Sequence, residues 1–415
     1  MRDAVRRELL GNILPFWMRH APDPVRGGFR GRVSNDLVPD DTAPRGLIVN
    51  ARILWTFSAA HRAHPDPAFL DMAGRAADAL MTGFWDTDKG GAFWMLNPDG
   101  SPFDAKKKIY GQAFFIYALA EYVRTTGDTA ALERGREAFG LVERHGYDAA
   151  NTGYFETYER DWTLAADLRL SAKDLNEAKS MNTHLHLMEA YANLYRVWKD
   201  DLLAGRLRQL ILNFRDRIID REKNRMICFF NETWEPRSGL ISFGHDIEAS
   251  WLLCEAADTL GDPALSGEIR AIAVQMAEAV YTRGRDRDGS LRYEADASGI
   301  VDSDKHFWVQ AEAVVGFLNA YRLSGDDRYL EAARLAWIFI DRHLVDRAYG
   351  DWIYRVDRNG NPAGDEPKIS EWKCPYHSGR MCLEAEERLG RILEAVRKRS
   401  PVRTVKPAAA GRPAE

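Results

Sequence analysis

Two kinds of apolar pattern alternate along the chain. Some segments are hydrophobic almost all round, such as Ala113-Phe114-Phe115-Ile116-Tyr117-Ala118-Leu119-Ala120 and residues 311–320. A helix of that kind is buried on every side. Others are striped: Asp327-Arg328-Tyr329-Leu330-Glu331-Ala332-Ala333-Arg334-Leu335-Ala336-Trp337 keeps its charges on one face. The alternation predicts an inner ring of helices inside an outer ring. Two recurring markers set the repeat. A glycine–aromatic segment occurs at Gly27-Gly28-Phe29, Gly90-Gly91-Ala92-Phe93-Trp94, Gly153-Tyr154-Phe155, Gly289-Ser290-Leu291-Arg292-Tyr293 and Tyr349-Gly350-Asp351-Trp352, with a glycine-free version at Asn224-Arg225-Met226. The step of about 60 to 70 residues suits a helical hairpin plus a short β-ribbon. Between these markers stand His64-Pro65-Asp66, Thr126-Gly127-Asp128, Lys199-Asp200-Asp201, Leu260-Gly261-Asp262 and Ser324-Gly325-Asp326. Each reads as the turn of a hairpin, where glycine, if present, ends one helix and aspartate caps the next. Asn359-Gly360 adds a β-hairpin turn. Six hairpins give twelve helices, an all-α (α/α)6 barrel with short β-ribbons at one end.

If the first helices of all units run parallel, their starts gather at one end. Arg52, Tyr110, Asn182 with His186, His245 with Glu248, Trp308 with Glu312, and His377 with Arg380 then form one ring, although more than three hundred positions separate the first from the last. An unpaired polar group costs roughly 1–3 kcal/mol to bury. Six such clusters in register therefore point to a site rather than to structural pairs alone.

Composition changes this picture little. Hydrophobic residues make up 45% and charged residues 29% of 415 residues, and the net charge is −5. These values give no reason to expect nucleic acid or an anionic membrane as a partner. The N-terminal Met1-Arg2-Asp3-Ala4-Val5-Arg6-Arg7 lacks the apolar core of a secretory signal, and no stretch reaches the ~18 apolar residues of a membrane span. Cys228, Cys254, Cys374 and Cys382 show no zinc-type spacing and read as buried thiols in a reducing cytoplasm. Residues 398–415, rich in Pro, Ala, Lys and Arg, read as a disordered tail, which leaves 1–397 as a single catalytic domain. A monomer is expected.

Histidine is the informative residue type, because its ordinary pKa lies near ~6.5 and it can act as acid or base. Of the ten, His186, His245 and His377 lie in the ring, while His61, His64 and His145 read as structural. His184 is ambiguous, since it points to a different helix face from His186. Glu248 three residues after His245, and Arg380 three after His377, supply charged neighbours on the same helix face. Three histidines with Glu248 would also suit zinc, but no His-Glu-x-x-His pattern occurs, and no metal or other cofactor is expected. Glu248 and Glu312 offer the two carboxylates of a glycoside hydrolase, although their placement inside the helices suits orienting groups better. Trp308 and Trp372, with Tyr110 and Tyr376 nearby, offer flat faces on which a pyranose stacks, so a carbohydrate is the expected ligand. A non-catalytic sugar-binding toroid remains open alongside an enzyme.

At this point the chain resembles the N-acylglucosamine 2-epimerase superfamily, and within it the cellobiose 2-epimerases, from about residue 5 to about residue 390. The resemblance rests on Ile13-Leu14-Pro15-Phe16-Trp17, Asn50-Ala51-Arg52-Ile53-Leu54-Trp55, Lys179-Ser180-Met181-Asn182, His186-Leu187-Met188-Glu189-Ala190-Tyr191 and Gly244-His245-Asp246-Ile247-Glu248-Ala249. Two more motifs complete it: Trp308-Val309-Gln310-Ala311-Glu312-Ala313 and Trp372-Lys373-Cys374-Pro375-Tyr376-His377-Ser378-Gly379-Arg380-Met381. It implies reversible inversion at C2 of a reducing sugar, without metal or nucleotide. It further implies that His245 and His377 are the acid/base pair, that His186 opens the sugar ring, and that Arg52 binds near the reacting oxygens. Tyr110, Asn182, Glu248, Trp308 and Trp372 match substrate-binding positions. Many cellobiose 2-epimerases have two tryptophans where this chain has Phe307-Trp308. Mannose 2-epimerases and mannose isomerases share the catalytic pattern and remain an alternative.

Overall fold

The computed structural model describes residues 1–364 and 366–399. In chain order the helices are α1 (residues 2–20), α2 (Leu47–Ala63), α3 (residues 67–84), α4 (Ile109–Thr126), α5 (residues 129–146) and α6 (Met181–Val197). They continue as α7 (residues 201–218), α8 (Phe243–Leu260), α9 (Pro263–Arg283), α10 (Phe307–Ser324), α11 (residues 327–344) and α12 (Tyr376–Arg399). The even-numbered helices form the inner ring of an (α/α)6 barrel, and all but the highly charged α12 are largely apolar; the odd-numbered ones surround it. Inner residues such as Phe115, Leu119, Leu253 and Phe317 are fully enclosed. Each such side chain contributes about 1.5–3 kcal/mol by leaving water.

The hairpin turns follow from their residues. Gly127, Gly261 and Gly325 close α4, α8 and α10 with φ of +74°, +81° and +71°, a conformation only glycine adopts without strain. Asp66, Asp128, Asp200, Asp262 and Asp326 each accept a backbone N–H at the start of the next outer helix. The sixth hairpin joins the two ends of the chain: α1 packs on α12 from outside, and α12 meets α2 and α10 within the ring. Helix α12 runs through residues 398 and 399, the first two of the segment expected to be a tail; the rest of that segment lies outside the described residues.

The ribbons cover the end where the inner helices begin, and each joins two units. The two residues before an inner helix pair antiparallel with the ribbon of the following unit: Arg45 with Leu96, Lys107 with Tyr158, Lys179 with Phe230, Ile241 with Ala295, and Lys305 with Val356. A bridge between Val33 and Ile369 closes the circle. Lysines leading into the helices anchor the turns of their own ribbons: Lys107 binds Asp86 at 3.1 Å, Lys179 binds Asp148 at 2.8 Å, and Lys305 binds Asp286 at 2.9 Å.

The fourth residue of an inner helix is structural. Gln112 bonds the N–H and C=O of Ala92, Gln310 does the same to Leu291, Asp246 accepts the N–H of Met226, and His184 accepts the N–H of Tyr154. Part of the polar load at the helix starts therefore fastens ribbons, and His184 belongs to that part. Among the described residues no helix is long and apolar enough to cross a membrane.

Candidate active site

Helix periodicity carries the residues that face the barrel axis. The second residue of successive inner helices is Tyr110, Asn182, Gly244, Trp308 and His377; the sixth is Arg52, Phe114, His186, Glu248 and Glu312. Positions four apart share a face one turn deeper, so the two sets form stacked layers. Gly244 keeps its slot empty for Trp308: a Cβ there would come within 2.5 Å of the indole. His245 takes the next position, with its ring 4.8 Å from that of Trp308. Trp308 in turn lies 5.5 Å from His377, and Tyr110 lies 5.2 Å from His186 and 6.2 Å from Trp372. All nine residues expected at the site thus come to the same end of the barrel.

The three ring histidines are held alike. Nδ1 of His186 lies 2.9 Å from Glu189, Nδ1 of His377 lies 2.7 Å from Glu312, and Nδ1 of His245 lies 2.7 Å from the hydroxyl of Ser242. An ionised carboxylate only accepts, so Nδ1 of His186 and of His377 carries the hydrogen. Nε2 of each is then the basic nitrogen, and it has no protein hydrogen-bond partner among the described residues. The other histidines differ: His61 bonds the carbonyl of Asp66, His64 bonds Glu386 at the opposite end, and His145 stacks on Trp162.

The partners differ from those that spacing along one helix suggests. Glu248 does not serve His245; it binds Arg380 at 2.5 Å. His377 is held by Glu312 from α10 rather than by a group on its own helix. Arg380 is the hub, since it also binds Glu312 at 2.8 Å, Glu189 at 2.5 Å and the hydroxyl of Tyr376. One guanidinium therefore fixes the carboxylates behind two of the three histidines. Glu189 was legible as the residue three after His186, the same signal that misdirected Glu248 to His245. Nothing in the spacing singles out Ser242.

Charge follows from burial and this crowding. Burial pushes the His245 and His377 imidazoles down to about 3; for His245 the neighbouring His186 and His377 add to the effect, while Glu312 opposes it at His377. His186 is lowered by burial against the pull of Glu189. Burial would raise the carboxyls of Glu189 and Glu312, but Arg380 overcomes it and holds both at about 2. Three carboxylates around one guanidinium leave excess negative charge. Glu248, raised by burial and by Glu312, is where a proton is most readily retained. Its Oε2 and the Oδ1 of Asn182 are buried with no hydrogen-bond partner among the described residues, which leaves both open to the hydroxyls of a ligand. Arg52 donates to the Tyr110 hydroxyl at 3.1 Å and lies 4.3 Å from the ring of Phe114. Burial opposes its charge, but Tyr110 and Cys374 more than offset that and keep its pKa above the usual arginine value.

Glu248, Glu312 and His377 offer ligand atoms within 4.8 Å of one another. Both carboxylates already bind Arg380, so a dication there would meet a fixed positive charge and a hydrogen-bearing Nδ1. Activity is therefore expected to survive exhaustive chelation. Loss on chelation and recovery on adding back a divalent metal would contradict this.

A cavity of about 700 Å³ opens at the opposite end, lined by the last turns of the inner helices. Its ion pairs, including Arg62–Glu121 and Arg196–Glu255, are formed between protein groups. It reaches Arg380 and Glu189 from behind but contains none of the three ring histidines, so the chemistry is assigned to the ribbon end.

Residues 27–378 match the family model described as N-acylglucosamine 2-epimerase. A cellobiose 2-epimerase of Bacteroides fragilis is 44% identical over 387 residues, spanning 92% of this chain and 98% of that protein. The solved structure of a cellobiose 2-epimerase from Spirochaeta thermophila superposes with a TM-score of 0.87 at 42% identity, covering 94% of this chain and 97% of that one. A D-mannose isomerase of Marinomonas mediterranea is 23% identical over 89% of this chain and 93% of that protein.

Proposed function

Because the chain belongs to the N-acylglucosamine 2-epimerase family, we propose that it reversibly epimerises C2 of the reducing-end sugar of β-1,4-linked disaccharides, converting cellobiose to glucosyl-mannose. The observation that carries this reading is the set of three histidines at one end of the barrel, each with Nδ1 on a protein partner and Nε2 unclaimed, beside the rings of Tyr110 and Trp308.

A cyclic hemiacetal has no acidic C2–H, so the ring opens first, and His186 is the residue to which we give that proton transfer. In the open aldose C2–H lies beside a carbonyl. Inversion needs a proton removed from one face of C2 and returned to the other. His245 and His377 act as the pair, one neutral and one protonated, and exchange roles when the reaction runs backwards. Each positioned transfer is worth about 10²–10⁴-fold. Abstraction leaves both imidazoles protonated; their mutual repulsion is offset by the negative cis-enediolate between them, and donation from the opposite histidine to C2 restores one neutral ring. Arg52, charged throughout, offsets the enediolate; by analogy with an oxyanion donor this is about 3–4 kcal/mol. Glu312 and Glu189 keep two of the imidazoles in the basic tautomer. Tyr110, Asn182, Glu248, Trp308 and Trp372 bind the sugar, the indoles by stacking and the others through hydroxyls. We place the enzyme in the cytoplasm as a monomer; its four cysteines are buried free thiols, as suits a reducing compartment.

Proton NMR of cellobiose, mannobiose, lactose, glucose and mannose incubated in deuterated buffer tests the reading. Glucosyl-mannose from cellobiose, labelled at C2, is expected. Free glucose from cellobiose would instead indicate a hydrolase, and turnover confined to the monosaccharides would indicate a mannose epimerase or isomerase.

A further inference from the structure

Ser180 and Ser242 occupy the same place in two repeats, the residue immediately before an inner helix, but they use their hydroxyls differently. Ser180 caps α6 by accepting the N–H of Thr183 at 3.1 Å. Ser242 makes no side-chain cap to α8. Its hydroxyl turns instead to Nδ1 of His245, at 2.7 Å. His245 is the third residue of its helix, as Thr183 is of α6, so the hydroxyl meets the side chain of the residue whose N–H it would ordinarily take. A local rule broken in one repeat and kept in another points to function.

We propose that Ser242 is a positioning residue of the epimerisation. By holding Nδ1 of His245 it leaves Nε2 as the nitrogen that exchanges a proton with C2. This rests on the two-histidine reading above and extends it, because His186 and His377 have carboxylates in this role and His245 has no other hydrogen-bond partner among the described residues. The groups around His245 are His186 on α6, Glu312 on α10, Arg52 on α2 and His377 on α12. Glu294 lies across the ribbon from Ser242, where a second carboxylate would face a like charge. A neutral hydroxyl is thus the acceptor this position tolerates. In the proposed arrangement it accepts from Nδ1–H both in the imidazolium and in the neutral ring whose Nε2 is the base.

The test compares Ser242→Ala, Ser242→Thr and Ser180→Ala with the wild type. The backbone at Ser242, with φ −109° and ψ 100°, is extended and accepts threonine. Ser242→Ala is expected to lower kcat about ten- to a hundredfold, as loss of orientation does, with KM within about twofold. Without its acceptor the imidazolium is less stable, so the alkaline limb of the kcat profile should move to lower pH. Ser242→Thr should restore both kcat and the limb, and the thermal midpoint should stay near the wild-type value in both. Ser180→Ala, which removes a true cap, should lower the midpoint and leave the limb in place. Wild-type kcat and an unmoved limb in Ser242→Ala would overturn the proposal, as would a kcat loss that threonine does not restore. Absence of C2 epimerisation in the wild type would instead refute the underlying function.

Discussion

Asparagine in place of His377, and equally in place of His245, is expected to lower overall epimerisation by about 10²–10⁴-fold. Asparagine keeps a polar side chain of modest size but cannot shuttle a proton at neutral pH. Both side chains lie against Trp308, so the packing around them should persist and KM should change far less than kcat. The far-ultraviolet circular dichroism of each variant should match the wild type. A variant that kept wild-type turnover would remove that histidine from the chemistry.

The second large effect is expected at Arg380. Arg380→Met would leave Glu189, Glu248 and Glu312 buried without their common cation. Breaking a buried ionic network by removing one partner costs about 3–5 kcal/mol, and here His186 and His377 would lose their fixed acceptors as well. The variant should therefore be both less stable and nearly inactive. The pH dependence follows from the carboxyls of Glu189 and Glu312, held at about 2 against an ordinary 4.5. A carboxyl depressed by folding contributes stability above its unfolded pKa, and that stability is lost as pH falls through the folded value. The stability gap between wild type and variant should thus be large above about pH 4.5 and narrow towards pH 2. Arg380 also opposes the rise of the Glu248 carboxyl, so its loss raises that group further and adds to the gap on the alkaline side. Urea unfolding at a series of pH values measures it; a gap independent of pH would contradict the role given to Arg380.

Much of this architecture is written in local signals. Gly127-Asp128, Gly261-Asp262 and Gly325-Asp326 mark hairpin turns because a left-handed cap and a side-chain acceptor are short-range requirements. The inner helices other than α12 are legible because burial on nearly all sides leaves no broad polar stripe; α12, amphipathic and charged, reads like an outer helix. The ring of site residues followed from one assumption, that these helices run parallel. What local sequence did not disclose was pairing across helices. Glu312 reaches His377 from 65 residues away and Arg380 reaches Glu189 from 191, and spacing along a single helix carries no information about either. The same limit hid the closure of the barrel by α1 on α12. It also left His184 ambiguous, because a side chain that fastens a ribbon is as polar as one that binds a sugar.

The central claim is that His245 and His377 serve opposite faces of C2, and C2 deuterium exchange tests it most directly. Each asparagine variant would be incubated in heavy water with cellobiose and, separately, with glucosyl-mannose, and label at C2 read by NMR. Two bases predict that each variant washes deuterium into one epimer with configuration retained, and that the two variants prefer opposite epimers. A one-base mechanism predicts instead that one variant exchanges neither epimer while the other retains substantial turnover, and that result would contradict the account.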